Sequence, residues 1–260
     1  MNHFKRFFYC FATAAILQAT AVFLLGLNLF AQPSNGQDEI RLILRGDDMG
    51  ISHSSNTAII EAYKGGLQKS AEVIVNGPWF PEAVRLLNAH PGLDVGVHLT
   101  LTSEWENLKW RPLSNSPGLT DSLGYFYPFI WPHEHYGEPH ALLPQDWAIE
   151  EVERELRMQI ELAKATIQNV THLSYHMGMN NMAPEVNELV KKLAIEYNLD
   201  IDLEEYGFER LSFGEPLTSG KEKTDRLIEV LKGLPTQQLH PHHPSRFGHT
   251  RHPFFISHRL

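Results

Sequence analysis

The sequence predicts an α/β protein built on a parallel sheet, and three observations lead to this prediction. Segments typical of strands alternate with segments typical of helices along the chain, as they do in parallel α/β architectures. The chain has 260 residues, a length that suits one large domain such as a β/α barrel better than two small domains. Polar residues follow several of the predicted strands, at the sheet edge where catalytic groups gather in such barrels.

The amino-terminal segment, residues 1–31, is typical of a secretory signal peptide. Lys5 and Arg6 precede a long uncharged apolar run, and a polar linker follows at residues 32–38. The run is also long enough to span a bilayer, so an uncleaved membrane anchor is the alternative. The folded domain is predicted over residues 39–260. We therefore expect an exported protein, periplasmic or extracellular, that contacts a membrane only if the segment is retained.

The composition argues against some binding partners and against cysteine chemistry in the predicted domain. The net charge of −9 argues against a nucleic-acid partner, because such proteins present a basic surface. The single cysteine, Cys10, lies in the amino-terminal segment, so the predicted domain has neither disulfides nor a cysteine-ligated metal site. The sequence leaves the oligomeric state open, with a homodimer among the alternatives.

The first strand and helix are the best defined of the predicted elements. Residues 40–44 form a short apolar run stopped by Gly46, which predicts a buried strand. Residues 52–56 are rich in helix-capping side chains and lead into a helix that ends at Gly65 and Gly66.

The later elements are predicted from the same patterns of apolar spacing. They are a strand at 93–102, a long loop rich in proline, glycine and aromatics at 103–144, a strongly periodic helix at 146–168, a strand at 170–176, a helix from Pro184, a short strand at 201–203 and a helix at 224–232. Long loops in compact domains usually serve function. Residues 246–260 show no clear helix or strand period, so we expect a barrel that is incomplete at the carboxyl terminus.

Acidic and histidine side chains follow four of the predicted elements. Aspartate and histidine suit divalent ions such as Zn²⁺ or Mg²⁺, and one carboxylate with two imidazoles leaves room for a water that can become a nucleophile. Taken singly, each residue has an ordinary explanation, because aspartates cap helices and some of the 15 histidines fall at strand ends by chance. Together they predict a metal hydrolase of unspecified substrate: Asp47 and Asp48, His98, His172 and His176, His242 and His243.

Four ordered motifs resemble the YdjC-like (ChbG/HpnK) family of carbohydrate deacetylases. They are RLILRGDDMGISHSSNTAIIEAYKGG, DVGVHLTLT, VTHLSYH and PHHPS, and the stretch SEWENLKWRPL is similar to the secreted branch of that family. The resemblance covers roughly residues 40–245. It implies a distorted TIM-like β/α barrel that removes acetyl groups from N-acetylated sugars with one divalent metal ion, Mg²⁺ or Zn²⁺.

Matched position by position, the resemblance implies a role for individual residues. Asp48, His98 and His176 match the metal ligands. Asp47 matches the aspartate that acts as general base on the metal-bound water, and His243 matches a general acid or orienting residue, with His240 and His242 as neighbouring alternatives. Indole faces stack on sugar rings, although aromatics in a long loop also pack on one another. The candidates for substrate binding are Arg45, Trp105 and Trp110.

The chain also departs from the family pattern. Ser174 stands where the family has an aspartate, and Gly178 where a further histidine is common. The first change removes a partner that would orient an imidazole, a loss that typically weakens metal affinity by about 10- to 100-fold. Two alternatives remain beside the deacetylase, and the change at Ser174 favours the second of them. One is a metal hydrolase acting on another substrate such as a phosphoester, and the other is a glycan-binding relative without turnover.

Overall fold

The computed structural model describes residues 41–104, 108–200, 209–210, 219–233 and 253–259. The predicted amino-terminal segment and linker lie outside these ranges, as do the short strand predicted at 201–203, Trp105, and the histidines at 240, 242 and 243. In the parts of the chain that are described, no helix is both long and apolar enough to cross a membrane.

Within the described residues, a single sheet of six parallel strands organises the fold, which confirms the predicted α/β architecture. Its strands are β1 (Arg41–Met49), β2 (Ser70–Val73), β3 (Asp94–Leu99), β4 (Val170–Tyr175), β5 (Glu209–Arg210) and β6 (Pro253–Arg259). Their order across the sheet is β4-β3-β2-β1-β6-β5. Because all the strands run in one direction, their carboxyl ends share one edge of the sheet.

Helices alternate with the strands, and their ends follow the capping chemistry of the sequence. They are α1 (His53–Lys64), α2 (Phe80–Asn88), α3 (Ile149–Thr166), α4 (Pro184–Tyr197) and α5 (Gly220–Lys232). The hydroxyl of Ser52 caps α1 by accepting a hydrogen bond from the amide of Ser55 at 3.0 Å. A proline opens α4, where its fixed φ suits the first helical turn.

The core lies between the sheet and the helices packed on it. Val95, Val97 and Leu99 of β3 are buried, as the alternating pattern predicts, but the intervening residues are buried too because both faces of a parallel sheet are covered. The long loop after β3 also contributes to this core. Its buried side chains include Trp110, Leu119, Phe126, Ile130 and Leu142.

Two regions differ from the prediction. The β2–α2 pair was not predicted, because β2 has only four residues, all of them buried, and so shows no alternation. Residues 246–260 show no clear strand period in the sequence, yet β6 forms within them at Pro253–Arg259. β6 pairs with β1 from Arg41↔Pro253 to Asp47↔Arg259, and pairing between such distant parts of the chain leaves no local period to detect.

Candidate metal centre

A bulge at the end of β1 shapes the aspartate pair. Gly46 pairs with Ala71 and Met49 with Val73, so β1 contains one residue more than β2 between these points. Within the bulge Asp48 has φ of 65°, a left-handed conformation that aspartate adopts more readily than most residues. Asp47 and Asp48 are both buried, because both faces of the parallel sheet are covered.

The first turns of α1 hold this bulge in place. The Ser55 hydroxyl donates to the carbonyl oxygen of Asp48 at 2.9 Å. The Asn56 side-chain oxygen accepts from the amide of Gly50 at 2.7 Å. The polar stretch at 52–56 therefore fixes the backbone of Asp48 as well as starting the helix.

Asp48, His98 and His176 converge at the carboxyl edge of the sheet. One potential ligand atom from each lies within 4.8 Å of the others, and no other described residues form such a group of three or more. Asp48 Oδ1 is 3.4 Å from His98 Nε2 and 3.0 Å from His176 Nδ1. β1, β3 and the turn directly after β4 supply the three residues, and the aligned carboxyl ends of the parallel strands bring them together.

The chemistry of this group fits a divalent metal ion. One carboxylate oxygen and two imidazole nitrogens make a set of three protein donors, the number typical of catalytic zinc sites. Burial favours a higher pKa for the Asp48 carboxyl, but the hydrogen bond with His176 and the proximity of the His98 imidazole outweigh it and hold that pKa far below its ordinary value. The carboxylate is therefore ionised, which is the form that binds a cation.

Each imidazole is also held on the side away from Asp48. His98 Nδ1 is hydrogen-bonded to Ser174 Oγ at 2.7 Å. His176 Nε2 lies 3.3 Å from Glu104 Oε1, and its ring centroid is 6.2 Å from that of the buried Trp110. Such contacts fix the orientation of a metal-binding histidine.

A charged cluster lies behind His98 in the interior. Glu72 of β2 is fully buried and accepts hydrogen bonds from Ser174 and from His172 Nε2, the latter at 2.7 Å, while Arg45 Nε is 3.3 Å away. Burial favours a higher pKa for Glu72, but His172 and Arg45 outweigh it, and the pKa lies well below its ordinary value. Burial lowers the pKa of His172 while Glu72 raises it, and the net shift is upward. Both shifts favour the ionised forms of Glu72 and His172.

The remaining predicted site residues occupy the interior or lie outside the described ranges. The Arg45 side chain is 11% exposed, and its Nε lies 3.4 Å from Asp47 Oδ1. Trp110 is buried beside His176. Trp105 and His243 lie outside the described residues.

Sequence reasoning missed two carboxylates of the site, Glu72 and Glu104. Glu72 did leave a signal, because it is a lone charge inside the short apolar run SAEVIV. Glu104 lies in the loop shortly after β3 and has no distinguishing pattern. Its proximity to His176 arises only when the loop folds back over the sheet edge.

The fold and the centre together define a class, an α/β protein with a candidate divalent-metal site at the carboxyl edge of a parallel sheet. Residues 41–252 match the YdjC-like protein family, and the chain belongs to this family. This finding confirms the resemblance drawn from the four motifs.

Relatives and solved structures agree with this assignment. The chain is 30% identical over 220 residues to a protein of Brevibacillus brevis named carbohydrate deacetylase, covering 78% of this chain and 81% of that one. It is 36% identical over 160 residues to a carbohydrate deacetylase of Thermus thermophilus, covering 61% of this chain and about half, 51%, of that one. A crystal structure from Enterococcus faecalis V583, described as a candidate cellobiose-phosphate cleavage protein, shares the fold. Its TM-score is 0.59 at 24% identity, covering 85% of this chain and 81% of that chain.

Proposed function

We propose that this protein is a metal-dependent carbohydrate deacetylase, a hydrolase that removes acetyl groups from N-acetylated sugars. The convergence of Asp48, His98 and His176 carries the proposal, because these buried groups offer a cation-binding set at the sheet edge where α/β enzymes bind ligands. The family and the names of the relatives support the same activity.

Asp48, His98 and His176 would hold the metal ion. When bound, a divalent ion polarises the carbonyl oxygen of an amide and lowers the pKa of water. Two imidazoles among three donors favour Zn²⁺ over Mg²⁺, which prefers oxygen ligands. Both ions belong in the test, together with Mn²⁺.

The neighbouring residues would move protons and bind the sugar. Asp47 would accept a proton from the attacking water at its carboxylate, and Arg45, 3.4 Å from Asp47 Oδ1, would orient that carboxylate. His243 would donate a proton to the leaving amine. Trp105 and Trp110 stay candidates for sugar contacts, with Trp110 in the wall of the site beside His176.

Trp131 is a further candidate for stacking on a sugar ring. It is 43% exposed, and its indole edge comes within 3.8 Å of the position that a Cβ would occupy on Gly178, two residues after His176. An exposed indole close to the turn that carries His176 suits a carbohydrate ligand.

We further propose that the sheet belongs to a distorted β/α barrel and that residues 1–31 direct export. Export supports a role outside the cytoplasm, on sugars of the periplasm or of the medium. Retention of the segment as an anchor is the alternative, and N-terminal sequencing of the mature protein distinguishes the two. A homodimer is a prediction that sedimentation of the purified protein tests.

The experiment is acetate release from N-acetylated chito-oligosaccharides by the full chain, with Zn²⁺, Mn²⁺ or Mg²⁺ added. We expect metal-dependent release that Asp48→Asn abolishes. Asp47→Asn should lower kcat by about 10²- to 10⁴-fold while metal binding persists, because it removes only a general base. Asp225→Asn on the exposed face of α5 serves as the control and should leave activity unchanged.

Acetate that is released equally by Asp48→Asn would refute the proposed centre. Metal binding without release from any acetylated sugar would refute the deacetylase. In that case sugar binding measured by calorimetry would favour a glycan-binding relative, and turnover of a phosphoester panel would favour another hydrolase.

A further inference from the structure

Glu72 is a buried charge that the proposed reaction does not use directly. It is fully buried on β2 and lies outside the group formed by Asp48, His98 and His176. A buried carboxylate is costly unless its oxygens are hydrogen-bonded or paired with positive charge. The groups that bond to Glu72 therefore indicate its role in the protein.

Glu72 reaches across β3 to contact β4. In the register of the sheet Glu72 lies beside Gly96, and Gly96 lies beside His172. A Cβ at residue 96 would overlap Glu72 Oε2 and lie 2.5 Å from His172 Nε2. The absence of a side chain at Gly96 therefore opens the space through which Glu72 bonds to His172 and Ser174.

In the hydrogen bonds that link Glu72, Ser174 and His98, only one assignment of donors and acceptors is consistent. An ionised carboxylate only accepts, so the Ser174 hydroxyl must donate its single hydrogen to Glu72. Ser174 Oγ can then only accept from His98 Nδ1, which lies 2.7 Å away. A neutral His98 with its hydrogen on Nδ1 keeps the lone pair on Nε2, the nitrogen that lies 3.4 Å from Asp48 Oδ1.

We propose that Glu72 is a positioning residue that acts through Ser174 to hold His98 in the orientation and tautomer required for metal binding. This relay, from Glu72 through Ser174 to His98, supplies from β2 the carboxylate that the family resemblance led us to expect at position 174. The departure at Ser174 therefore does not indicate an inactive chain. The inference rests on the proposed function only in requiring that His98 binds a metal.

The test measures Zn²⁺ affinity of the full chain by competition with a chromogenic chelator, so that no substrate is needed. Ser174→Ala and Glu72→Gln should each weaken Zn²⁺ binding by about 10- to 100-fold. The double variant Glu72→Gln with Ser174→Asp should recover to within about threefold of the wild type, because an aspartate accepts directly from His98 Nδ1. Ser116→Ala is the matched control, since Ser116 is as buried as Ser174, at 3% exposure, but bonds to Ser114 and the carbonyl of Glu151.

Each outcome bears on the relay. Wild-type affinity in both single variants would overturn it and leave the proposed function standing. Weakened binding without recovery in the double variant would mean that Glu72 only supports the fold, and an equal loss in Ser116→Ala would point the same way. If Glu72→Gln does not fold by circular dichroism, Ser174→Ala still decides, because wild-type Zn²⁺ affinity in that variant overturns the relay. A wild type that binds none of Zn²⁺, Co²⁺ and Mn²⁺ would overturn the proposed function and the relay with it.

Discussion

Glu155 of α3 is the anchor of the loop that follows β3, and its removal gives the sharpest stability prediction. It is fully buried and accepts five hydrogen bonds of 2.7–3.1 Å. The donors are the amides of Leu113 and Ser114, the Ser114 hydroxyl, Asn76 Nδ2 and Gln159 Nε2. One carboxylate therefore satisfies two backbone amides of a loop that has no strand partner to do so.

Glu155→Gln preserves the shape of the side chain but replaces one acceptor oxygen with a donor. The glutamine amide can take either of two orientations, and stability falls less when its NH₂ group faces Ser114. The Ser114 hydroxyl can then rotate to accept a hydrogen bond, but the Ser114 backbone amide loses its acceptor. An orphaned buried donor costs about 1–3 kcal/mol, and a lost bond to a charged group costs a similar amount. We therefore expect the free energy of unfolding to fall by about 2–4 kcal/mol. With a urea m-value of about 2 kcal/mol/M, the midpoint should fall by about 1–2 M.

The assay is urea unfolding of the metal-free chain, followed by circular dichroism. Glu150→Gln on the exposed first turn of the same helix is the control, and it should change the free energy of unfolding by less than about 1 kcal/mol. Equal midpoints for the two variants would refute the argument that this carboxylate holds the loop.

Three further predictions follow from the interior network and the rim of the site. Gly96→Ala should cost about 1–3 kcal/mol in urea unfolding, because its Cβ overlaps Glu72 Oε2; a wild-type midpoint would contradict this. The raised pKa of His172 means that its ion pair stabilises the fold fully below about pH 6.5 and that this stabilisation is lost as the pH rises through the raised pKa. The stability gap between wild type and His172→Gln should therefore be larger at about pH 5–6, where Glu72 is also ionised, than at high pH, and a constant gap would disprove the pairing. Trp131→Ala should raise KM for an acetylated oligosaccharide by about three- to tenfold with little change in kcat, and an unchanged KM would exclude stacking there.

Local patterns in the sequence were sufficient for much of the fold. The helix expected at 146–168 forms at Ile149–Thr166, and the strand expected at 170–176 forms at Val170–Tyr175. These elements have a continuous hydrophobic period, which can be recognised in the local sequence without knowing what packs against them. Asp48, His98 and His176 could be placed at one sheet edge for a related reason, because parallel strands align their carboxyl ends.

The support behind the site could not be predicted in this way. The contact between Glu72 and Ser174 depends on the register of three strands and on a missing side chain at Gly96. The approach of Glu104 to His176 depends on how the loop after β3 folds back. Neither relation is a property of any short window of sequence, so both appear only in three dimensions.

The left-handed backbone at Asp48 places two separate requirements on that position, one from the fold and one from metal binding. A side chain that tolerates positive φ is needed there for the bulge to form, which admits glycine, asparagine and aspartate and costs most others roughly 1–2 kcal/mol. Of these three, only aspartate brings a negative charge to the histidines. A library saturated at this codon and sorted for folding alone should therefore retain all three residues, whereas sorting for metal retention should keep one. Comparing the residues retained in the two sorts would show which residues the fold accepts at this position and which of them metal binding accepts.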